Sequence, residues 1–496
     1  KTSTVTGNTF NGFNYATADN MYHSAGVFVA EGYPVNKKDF FGVTAETLST
    51  TAAGVDEAIA TGNTFTNCAY GYVRMNEFGN DGAGVNVCYV TVGNEGALAN
   101  AIEYATAQGT VILNNDVALN QMITIGEGKD FTLVLNGHTI SNNITYSENT
   151  YRMFSLQGGH LSIDGSVDGS TMTTGYNGNP SQAQMRLFQN LNGTLDVNGG
   201  SYIGYYAFES NIEASVEPAT TTISNAVITA GFSALSNFTK GTMNVSDSTI
   251  TADYYVLANN GLHGGTHFTA VGCTMTSKED TAIYFPAGDE LTIDSCKINA
   301  PKGSGMEAFA GKITVKGDTV ISAGAAKTEQ VSAAGEGSRM DGSAILIGYR
   351  SGYKTADKLI LNVADSVTLN SANNGTIRLV QLGNLNNGIT AITVTCPGDM
   401  AAEHSKFMND IPEDAALTVV INDTQVRPVK QETEVQAAQE NVVVNDEANT
   451  DPANVDKNQK GSDVENSGKD NGANGADDET GTSAPIETPV DAPEAE

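Results

Sequence analysis

Apolar residues return in this chain at an interval of about two dozen positions, in segments such as TTISNAVITA, GTMNVSDSTITA, LTIDSCKINA and GKITVKGDTVIS. Ile223, Val245, Ala270, Ile293 and Val315 form one column, with spacings of 22, 25, 23 and 22 residues. Five positions further on, Ile228, Ile250, Met275, Ile298 and Val320 form a second. Each segment is strand-like and bounded by Gly, Asn, Ser or Asp, residues that turn a chain at low steric cost. One such strand buries little apolar surface alone, so the period requires turn to stack on turn. The pattern predicts an all-β chain coiled as a right-handed, single-stranded parallel β-helix.

A second strand series runs beside the first as FSALSNF, YYVLANN, AIYFPAG, GMEAFAG and AILIGYR. The boundaries follow from where the rhythm starts and stops. Residues 1–91 read as the last turns of a preceding coil, because TVTGNTF at the start and IATGNTF from Ile59 repeat one motif around a long insertion over 16–58. Residues 92–426 form the main coil. Its first segment, NEGALANAIEYATAQGTVIL, places Leu98, Ile102 and Ala105 on one helical face with Gly109 as the stop, a short helix that caps the open end of the core. Residues 323–342 interrupt the rhythm as a loop. Residues 427–496 are an acidic tail; from 431 on they hold 17 acidic residues and 3 lysines, with no aromatics, a composition that predicts disorder.

Charge narrows the function. The 496-residue chain carries a formal net charge of -32, which disfavours nucleic acid and close approach to an anionic membrane. No apolar segment reaches membrane-spanning length, so no membrane insertion is expected. The first residues, KTSTVTGNTF, read as the interior of a repeat and suggest a piece of a longer protein. Five scattered cysteines build neither a disulfide scaffold nor a zinc site. Cys273 and Cys296 hold the same place in successive turns, so they are read as neighbouring buried thiols, with a disulfide as the alternative.

At ALANAIEYATAQGTVIL and FTLVLNGHTISNN the chain resembles the pectate-lyase-like parallel β-helix superfamily. It is similar in particular to repetitive surface and secreted proteins of gut-type anaerobic bacteria. The resemblance spans about 93–425, more faintly 1–91, and implies polysaccharide cleavage, adhesion or receptor binding on the coil. The family's hydrolases imply NxD, paired Asp and HG elements on successive turns, and its lyases imply acidic Ca²⁺ ligands beside a basic proton abstractor. No central turn carries a paired Asp; Asp164, Asp196, Asp247 and Asp294 sit in ladder regions without a recurring Arg or Lys. Arg152, Arg186, Arg350 and Arg378 look isolated in the sequence, and no catalytic or metal-binding residue carries over. Calcium belongs only to the lyase alternative; no other cofactor is expected.

The histidines read as structural. Gly137-His138 suits a corner, His160 an exposed edge, and His263 with His267 lack a third metal ligand. The aromatic residues give the stronger signal. Tyr206, Phe232, Tyr255, Tyr284 and Phe309 recur in the second strand series at 26, 23, 29 and 25 residues and read as an interior stack. Strand alternation then turns Tyr205 and Tyr254 outward, where with Tyr349 and Tyr353 they are candidates for stacking on sugar rings. The expected function is an extracellular adhesin or carbohydrate-binding protein at a bacterial surface, its partner a glycan or a host or bacterial surface ligand. A polysaccharide lyase or hydrolase and a structural spacer are the alternatives. Oligomeric state is left open by the sequence.

Overall fold

A computed structural model of the chain describes residues 5–13, 24–30, 55–76, 84–91, 95–145, 151–177, 185–210, 218–238, 240–259, 265–324, 342–350, 358–372, 376–382, 389–400, 402–404, 408 and 416–427. The long insertion, the loop over 323–342, His263, Tyr353 and the acidic tail lie wholly or largely outside them. Among the described residues β-strands dominate, with two helices, α1 (Val55–Thr61) and α2 (Glu95–Glu103). Strands gather into a sheet of 19 and a sheet of 16, and almost every pairing is parallel. Parallel pairing is the expected result when the partner of each strand lies a full repeat away rather than across a hairpin.

From Ala105 to Leu382 the chain lays strands down in a rota: one in the 16-stranded sheet, then two, or one long one, in the 19-stranded sheet. Glu290–Asp294 is followed by Lys297–Ala300 and Met306–Ala308, and the next repeat begins at Gly311–Lys316. Strands Ser201–Ser210 and Val227–Asn237 are long enough to serve both positions of the larger sheet. The first sequence column survives intact, with Ile223, Val245, Ala270, Ile293 and Val315 paired in succession. All five are buried.

The second column needs one correction. Ile228, Ile250, Met275 and Ile298 pair as expected, but Ile298 meets Ile321, while Val320 pairs with Lys297. The cause is the corner between the sheets. In four turns a single left-handed residue makes it: Asn225 (φ 55), Asp247 (φ 47), Gly272 (φ 65) and Ser295 (φ 54). The fifth turns at Gly317 (φ 62) and takes one extra residue before the next strand, so Ile321 fills the core position. These corners stack by hydrogen bonds: the Asn225, Asp247, Gly272 and Ser295 N–H groups donate to carbonyls of the following turn, on Ser246, Val271, Asp294 and Lys316. Here the chain also uses its cysteines. Cys296 Sγ accepts from the Cys273 N–H at 3.4 Å, and Thr319 Oγ1 accepts from the Cys296 N–H at 3.2 Å. Both cysteines are buried free thiols, as are Cys68, Cys88 and Cys396.

The main core lies between the strand series. It holds an aromatic stack in register, Phe154 on Phe188 on Phe208, with ring centroids 5.4 and 5.0 Å apart. At the N-terminal side α2 adds Leu98, Ala101 and Ile102 to this core. The helix stops at Glu103, not at Gly109. Residues Ala105–Leu113 are a strand instead, pairing with Gly84–Val90 and with Asp130–Val134, and their β-branched Thr110, Val111 and Ile112 suit that role. The 16-stranded sheet thus runs continuously past residue 92. The repeated GNTF motif pairs with itself: Thr9, Phe10 and Asn11 lie against Thr64, Phe65 and Thr66, with the two Phe rings stacked at 5.4 Å.

Candidate functional site

The aromatic residues of the second strand series form a body of their own. Tyr206, Phe232, Tyr255, Tyr284, Phe309, Leu346 and Val380 make a buried cluster separate from the main core. Alternation along the strands explains the separation: Ile283 and Phe285 enter the main core while Tyr284 between them does not, and Ile345 and Ile347 flank Leu346 in the same way. The interior aromatic stack expected from the sequence therefore lies on the opposite face of these strands from the main core.

Tyr205 and Tyr254 also differ from expectation. They do not face away from Tyr206 and Tyr255 but pack, half-buried, against the same cluster. A register shift between Gly204 and Tyr206 breaks strict alternation there and brings Tyr205 beside Tyr206 with centroids 5.2 Å apart. Phe232 is the hub, 5.3 Å from Tyr206, 5.9 Å from Tyr205, 5.5 Å from Tyr254 and 5.5 Å from Tyr255. Tyr284 continues the run, stacked on Tyr255 at 5.6 Å.

A residue the sequence pattern missed completes the platform. Tyr176 reaches Tyr205 edge-on at 5.9 Å and donates its hydroxyl to Asp253 Oδ2 at 2.5 Å. Burial first, then the hydrogen bond and charge of Asp253, push the Tyr176 phenol well above its ordinary pKa. Lys278 Nζ donates to the other Asp253 oxygen at 2.8 Å. Room for Tyr176 exists because residue 231 is glycine: a Cβ there would lie 2.4 Å from the Tyr176 ring and 2.7 Å from that of Tyr205. Tyr349 occupies the strand Ile345–Arg350, where its backbone pairs with Gln381. Tyr353 lies outside the described residues.

At one end of this face the arginines are not isolated, as the sequence suggested. Arg152 and Arg186, 34 residues apart in sequence, are direct partners on adjacent strands. The Arg152 guanidinium sits 4.2 Å from the Tyr151 ring centre, and that of Arg186 lies 4.8 Å from Tyr151 and 4.6 Å from Tyr206. Arg186 Nε donates to Glu209, which also accepts from Gln189 Nε2 at 3.0 Å. At the other end two buried carboxylates meet one threonine: the Thr281 N–H donates to Asp280 Oδ1 at 2.7 Å and its hydroxyl to Glu307 Oε1 at 2.7 Å. Glu209 and Glu307 stand on one line of partners, through Ser236, Ala258 and Tyr284, and so are four strands or about 19 Å apart.

Two of the aspartates picked out from the ladders, Asp294 and Asp196, are paired elsewhere. Asp294 meets its cross-strand partner Lys316 at 3.3 Å, and its carboxyl is held below the usual range first by the Ser295 hydroxyl and then by Lys316. His160 spans two turns, with Nδ1 2.9 Å from Asp130 and Nε2 2.9 Å from Asp196. His267 lies in a column with Glu290 and Lys312, 3.5 Å from the Glu290 carboxylate. Among the described residues no group of three or more His, Cys, Asp and Glu is placed to hold a metal ion. No described helix is long and apolar enough to cross a membrane. Comparison with protein-family models, curated proteins and solved structures returned no match.

Proposed function

We propose that this chain is a right-handed parallel β-helix of the pectate-lyase-like kind that works outside the cell, at a bacterial surface, as an adhesin or carbohydrate-binding protein. The observation that carries the reading is the aromatic platform, in which half-buried Tyr176, Tyr205 and Tyr254 rest on buried Tyr206, Phe232 and Tyr255 along successive turns. Sugar rings present apolar C–H faces that stack on such rings. Neighbouring Asp253 and Lys278 supply an acceptor and a donor for hydroxyls. Each contact is weak; their repetition along the stack supplies avidity to an extended polymer.

The test is affinity electrophoresis of the whole chain through gels holding plant and host polysaccharides. Retardation by at least one polymer, lost by roughly ten-fold or more in Tyr205→Ala/Tyr254→Ala, is the expected result. A double variant retarded like the parent removes the platform from the binding reading. A second reading, polysaccharide hydrolysis, is favoured by the two carboxylates joined through Thr281, since paired acids do this chemistry. At 1% and 0% exposure Asp280 and Glu307 are closed off from substrate, which ranks binding first. New oligosaccharides in digests by the parent chain, absent from Glu307→Gln digests, would reverse that order.

A further inference from the structure

Two arginines side by side on adjacent strands repel each other, and like charges directly opposite destabilise a sheet. Here the account of charge is uneven. Arg186 has Glu209, only 4% exposed, as its carboxylate. Arg152 has a tyrosine ring for company, but its buried Nε–H meets no acceptor and no carboxylate of the described chain answers its charge. Close by, Gln189 is 1% exposed and shows the converse defect. Its amide nitrogen is spoken for by Glu209, which as a carboxylate only accepts, and its Oε1 is left with no donor. Its Nε2 also lies 3.4 Å from the Tyr151 hydroxyl, so the open acceptor and the open guanidinium flank one ring.

Buried polar groups are nearly always satisfied, and an unanswered guanidinium beside another cation is costlier than an unanswered amide. In a chain of net charge -32 acidic side chains are abundant, yet none among the described residues is paired with Arg152. We propose that Arg152, with Arg186 behind it, receives an oxyanion carried on a saccharide, a carboxylate or a sulfate ester. The guanidinium fork suits both oxyanions, and Arg152 and Arg186 rest against Tyr151 and Tyr206, buried rings of which the second underlies the platform. The assignment rests on the carbohydrate-binding reading above and specifies the polymer as anionic. The long-range field of the acidic chain opposes a polyanion, but at physiological salt that field is screened within about 8 Å, whereas contacts to a half-buried guanidinium are screened far less.

The experiment is calorimetric titration of the full chain at physiological salt with two matched pairs: polygalacturonate against its carboxyl-reduced polymer, and dextran sulfate against dextran. The expected result is a preference of about ten-fold or more for the charged member of a pair, abolished in Arg152→Gln and kept in Lys312→Gln, which makes the same change in net charge on the other sheet. Circular dichroism confirms that the variants are folded. Preference within the first pair names a carboxylate and within the second a sulfate. Equal binding of charged and neutral members, or a preference that survives in Arg152→Gln or is lost in Lys312→Gln, overturns the anion site and leaves the aromatic platform standing. Failure to bind any of the four polymers overturns the anion site, and the carbohydrate-binding reading falls with it only if the electrophoresis panel also shows no retardation.

Discussion

Replacing Phe188 by alanine tests the stacked core directly. The side chain is 0% exposed and lies between Phe154 and Phe208, parallel to the latter within 8°. Truncation removes about 130 Å² of buried apolar surface, worth about 3 kcal/mol at about 25 cal/mol per Å². Loss of the ring-on-ring contact adds about 1 kcal/mol. The sum, about 4 kcal/mol, falls inside the range of about 3–5 kcal/mol for buried Phe→Ala changes. Urea unfolding followed by circular dichroism and by tyrosine emission, convenient in a chain with no Trp, measures it. Amide exchange should place the damage, with strands Arg152–Gln157, Arg186–Asn190 and Ser201–Ser210 losing protection before strands many turns away, because stacked repeats couple chiefly to their neighbours. Phe188→Leu should recover most of the loss. A drop below about 1 kcal/mol in the alanine variant with an unchanged denaturant slope would refute a continuous core at this ring.

Two further outcomes follow from the corners. Gly272→Ala places a Cβ on a residue with φ 65 and 2.7 Å from Asp247 Oδ1, and should cost about 1–2 kcal/mol in urea midpoint experiments; a neutral effect would mean the corner has freedom to reshape. Asp294 titrates below its usual value because of Ser295 and then Lys316, so its contribution to stability is full above the unfolded carboxyl value of about 3.9 and fades as pH falls through the folded value. In Ser295→Ala the Asp294 carboxyl, followed by NMR, should move up toward that value and the acid-side loss of stability at this site should shrink; an unmoved titration would deny the serine its role.

The strand rhythm was legible because each core position repeats within a residue or two, and apolar side chains at such positions leave few other ways to hide from water. The extra corner residue at Gly317 was not legible, since Val320 and Ile321 are both apolar and either fits the pattern. The face of the aromatic series was misread for a related reason. Both faces of those strands are buried, so period-two alternation identifies two sides without saying which one is the main core. Tyr205 was found but given the wrong face because a bulge suspends alternation at Gly204, and Tyr176 was missed because it reaches the platform from outside the strand series. The arginine pair spans a 34-residue repeat, well beyond the 22–25 of the regular turns, and so fell into no column. Asp294 and Lys316, exactly one regular turn apart, were open to discovery by the same spacing argument that found the core.

The longer corner at Gly317 bears on how such a chain tolerates change in length. A residue gained inside a strand would move every following side chain to the opposite face. A residue gained at this corner is spent before the strand begins, and Ile321, Ser322 and Ala323 pair with Ile298, Asn299 and Ala300 as if nothing had been added. The added residue at this corner is therefore silent in the register of the next strand. A chain built this way can gain length at a corner while the stacked strands stay in step.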